Sequence, residues 1–63
     1  MKHEQEIKQL TTEIVAKTLA KQEISAGGWI TIKLSNLTKI YGENDAQYIV
    51  DTAIGIAMKI TKI

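Results

Sequence analysis

The 63-residue chain has no cysteine, so disulfides and thiolate metal sites are excluded. It has a single histidine, His3, close to an end of the sequence that is expected to fray, which argues against a structural zinc site. It has no arginine: all eight basic residues are lysines, and the side chain that most often reads DNA bases is missing. Proline and phenylalanine are absent too, whereas isoleucine and threonine are heavily used. Lysine and isoleucine in place of arginine and alanine point to an AT-rich genome, such as that of a low-GC bacterium or its phage. A net charge of +1 sets up no strong field toward nucleic acid or anionic lipid. No apolar run reaches the roughly eighteen residues of a membrane span. The beginning Lys2, Glu4, Glu6, Lys8 lacks the apolar core of a secretory signal, so the expected location is cytoplasmic.

What is present is apolar helix. From Asn44 to Ile63, at 100° per residue, Ile49, Ile56, Ile60, Ile63, Ala46, Ala53, Ala57, Val50, Ile54 and Met58 cover a continuous arc of roughly 220°. A surface helix needs an apolar stripe only a little over ~100° wide. A chain this short buries only about 60% of its unfolded surface, and small domains commonly add a staple or a second subunit. The excess arc therefore predicts homodimerisation.

Two other segments complete a single domain over residues 1–63. A first helix is expected from about Glu4 to Gln22, with Ile7, Leu10, Ile14, Val15, Thr18 and Leu19 on one side and Glu6, Glu13, Lys17 and Lys21 on the other. Ser25-Ala26-Gly27-Gly28 supplies its stop signal. For the C-terminal helix, Gly42 breaks the chain, Asn44 is the expected N-cap and Gln47 completes a capping box. The middle, Trp29 to Tyr41, supports two readings. As a helix, Ile30, Leu34, Leu37 and Tyr41 share one face. As a strand, Ile30, Ile32 and Leu34 alternate with Thr31 and Lys33, and Ser35 caps a short helix. A lone strand lacks a partner within the chain. The predicted fold class is all-α, a small three-helix domain completed by homodimerisation, with the short strand and short helix as the alternative for its middle element.

No catalytic, cofactor or metal residues are assigned. There is no cysteine nucleophile and no second histidine to serve Ser25 or Ser35 as base, and Gly27-Gly28 lacks the lysine and spacing of a phosphate-binding loop. No enzyme and no cofactor are expected. The interface residues expected are Trp29, Ile49, Ala53, Ile56, Ala57 and Ile60. Ala46, Ala53 and Ala57 form a small ridge between larger flanks, where the helix is expected to cross its symmetry mate. The alternative is that these alanines make room for the first helix of the same chain. Gly55 falls mid-helix on the polar side, as does Tyr48.

Ile30-Thr31-Ile32-Lys33-Leu34-Ser35, Tyr41-Gly42-Glu43-Asn44, Ile49-Val50 and Ala53-Ile54 together resemble the strand, turn and second helix of ribbon-helix-helix DNA-binding dimers. That resemblance implies that Thr31 and Lys33 face the major groove and that Asn44 meets a phosphate. Its first helix, between Ser35 and Gly42, is about half the usual length in that family. Ala26-Gly27-Gly28-Trp29-Ile30-Thr31, with Ser35, Leu37 and Thr38, resembles a piece of the circular helical bacteriocins, and implies a membrane-active peptide. Those are markedly cationic, whereas this chain has seven acidic residues. The function expected first is a non-enzymatic regulatory protein that binds a protein partner, an inhibitor being one form of it; nucleic acid is the second reading and membrane activity the third.

Overall fold

A computed structural model describes residues 2–21 and 28–61 of the chain. Three helices follow in order: α1 Glu4–Leu19, α2 Trp29–Tyr41 and α3 Glu43–Thr61. No strand occurs among the described residues.

The middle segment is one continuous helix. The winding places Ile30, Leu34, Leu37 and Tyr41 on the inner face, where Leu37 is buried and the others are half-buried against the core. It leaves Ile32 mostly exposed. Its β-branched residues favour a strand locally, but burying that face offsets the modest difference in propensity. The ribbon of a ribbon-helix-helix dimer would need Ile30 to Leu34 extended, and here they are helical. Threonine suits these helices because its hydroxyl can donate back to the preceding turn. Thr11 bonds Ile7 O at 2.6 Å, Thr12 bonds Lys8 O at 2.9 Å, Thr38 bonds Leu34 O at 2.8 Å and Thr61 bonds Ala57 O at 2.9 Å.

Helix ends differ from expectation by a few residues. α1 stops at Leu19 because Lys21 takes the left-handed conformation (φ 60) usually left to glycine, and its N–H bonds Thr18 O at 3.0 Å. The stop signal Ser25-Ala26-Gly27 lies outside the described residues, as do Lys62 and Ile63. α3 begins at Glu43, not after Asn44. Gly42 stands in the cap position, and its carbonyl accepts the first helical hydrogen bond from Ala46 N at 3.0 Å. Gln47 does not reach back to a cap but donates forward to Asp51 at 2.9 Å. Gly42 alone joins α2 to α3, with φ 91 and ψ 164, a conformation essentially reserved for glycine.

The core consists of Ile7, Leu10 and Ile14 of α1, Leu37 of α2, and Ala46, Ile49, Val50, Ala53 and Ala57 of α3. α3 is central: its backbone approaches both other helices, while no Cα of α1 lies within 8 Å of a Cα of α2. The molecule measures 32 × 27 × 13 Å along its principal axes. Its thin dimension is little more than the ~10 Å between two packed helices, so every helix has a broad outer face.

Candidate functional site

The six residues expected at an interface separate into two groups. Ile49, Ala53 and Ala57 are almost wholly inaccessible, at 0%, 0% and 1% exposure. α1 and α2 of the same chain cover the alanine ridge, because small side chains let neighbouring backbones come close. A second molecule cannot cross at Ala53 and Ala57 unless one of those helices moves. Ile56 is half-buried and Ile60 is 60% exposed, so these two remain accessible on the flank facing α1. Trp29 sits at the start of α2, half-buried, with the Lys17 ammonium 4.9 Å from its ring centroid. Its buried indole N–H has no hydrogen-bond partner among the described residues.

Ile56 and Ile60 form one wall of a groove of about 340 Å³ between α3 and α1. The other wall is Glu4, Ile7, Lys8, Thr11 and Thr12. Beyond the groove, Val15 and Leu19 follow Ile7 and Thr11 at four-residue spacing along α1, and Leu19 is 67% exposed. Glu4 and Lys8 stand on the rim, one turn apart, and neither has an ion-pair partner among the described residues. The α1 half of this groove was not singled out from the sequence. The only signal there is the recurrence of apolar and methyl-bearing side chains at positions 7, 11, 15 and 19.

The opposite character is found where α1 and α3 begin and α2 ends. His3 was expected to fray, but its side chain is only 16% exposed. Its Nε2–H donates to Asp45 Oδ2 at 2.9 Å, and its ring meets Tyr41 edge-on with centroids 4.6 Å apart. Lys2 Nζ reaches the same carboxylate at 3.3 Å, and the Tyr41 hydroxyl donates to Glu6 Oε2 at 2.9 Å. The hydrogen bond from His3, aided by Lys2, holds the Asp45 carboxyl below the usual aspartate range. The bond to Glu6, with some burial, raises the Tyr41 phenol above its ordinary value. Farther along α1, Glu13 meets Lys33 of α2 at 3.7 Å. These side-chain bridges show that α1 and α2 run antiparallel.

A histidine beside a carboxylate suggests acid–base chemistry, but these polar groups are committed to one another. Asp45 accepts from His3 and Lys2, and Glu6 accepts from Tyr41. The arrangement ties three helix ends together. Sequence reasoning missed it because its partners are 35 to 43 residues apart, with no spacing rule to link them. Among the described residues no group of three or more His, Asp or Glu side chains is placed to hold a metal ion, and no helix is long and apolar enough to cross a membrane. Compared with known protein families, curated proteins and solved structures, the chain matches none.

Proposed function

We propose that this protein works by binding and not by chemistry: it is a small helical regulatory or accessory protein that self-associates and engages a protein partner. The observation that carries the reading is the amount of large apolar side chain left on the surface. Leu19, Ile32, Ile40, Met58 and Ile60 are each at least 60% exposed, in a chain of only 63 residues. Scattered apolar residues are ordinary on a surface, but Ile60 joins the half-buried Ile56 along a groove, and concave apolar surface of this kind is characteristic of interaction sites. The composition, rich in lysine and isoleucine, fits a low-GC bacterium or its phage as the source, and an inhibitor carried by a phage is one form such a protein takes.

Two experiments test the proposal. Sedimentation equilibrium of the purified chain is expected to give twice the monomer mass at high concentration. A tagged chain added to an extract of a low-GC bacterium is expected to retain a partner that the double variant Ile32→Asp/Ile40→Asp does not. A single-chain mass at all concentrations contradicts the self-association. Tight binding to duplex DNA that weakens steeply with salt would instead support the nucleic-acid reading.

A further inference from the structure

We draw no further inference here: the strongest candidate, the apolar groove between α1 and α3 walled by Ile7, Ile56 and Ile60, carries nothing because nothing in the structure shows what covers it.

Discussion

The first half of α3 buries its apolar side chains, whereas its last turns, similar in sequence, bury Ala57 and leave larger side chains exposed. Ala46, Ile49, Val50 and Ala53 are all 4% exposed or less, whereas Met58 is 65% and Ile60 60% exposed. Both stretches repeat isoleucine and a small residue at helical spacing, so intrinsic hydrophobicity does not separate them. The neighbours do. The polar bridges of His3, Asp45, Tyr41 and Glu6 hold the starts of α1 and α3 against the end of α2, and the first half of α3 lies where both other helices can close over it. Farther along, the surface that α1 and α2 leave uncovered includes the shoulder at Ile56 and Ile60. An amphipathic pattern thus specifies which side of a helix is apolar, and the topology of the rest decides how much of that side the chain itself covers.

The comparison is sharpest at matched isoleucines. Ile49→Ala removes a fully buried side chain and should destabilise the fold by about 2–5 kcal/mol, as measured by urea unfolding. Ile60→Ala, studied at dilutions where the chain is single, should cost well under about 1 kcal/mol. Equal costs would erase the distinction between the two stretches.

Gly42→Ala should come next. Its positive φ and extended ψ are strained for any residue with a Cβ, although the space around it is open, and a loss of about 1–3 kcal/mol is expected. Gly55→Ala should do the reverse. Gly55 is exposed within α3 with nothing within 4 Å of an added Cβ, so the exchange should raise the stability by about 1 kcal/mol through helix propensity. A loss at Gly55 would contradict helix propensity as the effect that decides there.

The smallest effects concern pH and act at the junction alone. Asp45 binds its proton less readily folded than unfolded, so its contribution is complete above the ordinary aspartate range near about pH 4 and is lost as pH falls through the lower folded value. Tyr41 is the mirror case. Its pKa is raised on folding, so its contribution is complete below about pH 10 and is lost as pH rises through the folded value. Asp45→Asn should flatten the acid limb of the stability profile and Tyr41→Phe the alkaline limb. Unchanged limbs would mean that the junction does not hold the helices together.

Much of this fold is legible in the sequence. The three helices, the glycine break at Gly42 and the apolar faces follow from periodicity and propensity, because both act within a few residues. Trp29 to Tyr41 was ambiguous because β-branched residues favour a strand locally, while burial of Ile30, Leu34 and Leu37 against α3 is a tertiary effect. The end of α1 was misplaced because Lys21 adopts a left-handed conformation that its residue type gives little reason to expect. The candidate site was half legible. Ile56 and Ile60 stood out on the wheel, but no wheel shows that Ala53 and Ala57 would be taken up by the chain's own helices. Nor does it show that Glu4, Lys8 and Thr12 would form the facing wall.

The central claim is that the apolar shoulder of α3 is left for a second copy to cover. The most direct measurement is the melting temperature of the wild-type chain, followed by circular dichroism at 222 nm across a dilution series of about a hundredfold. The account requires the midpoint to fall steadily with dilution, as it must when association contributes to stability. A midpoint indifferent to concentration, from a chain that sediments as a single folded molecule even at its highest concentration, would contradict it.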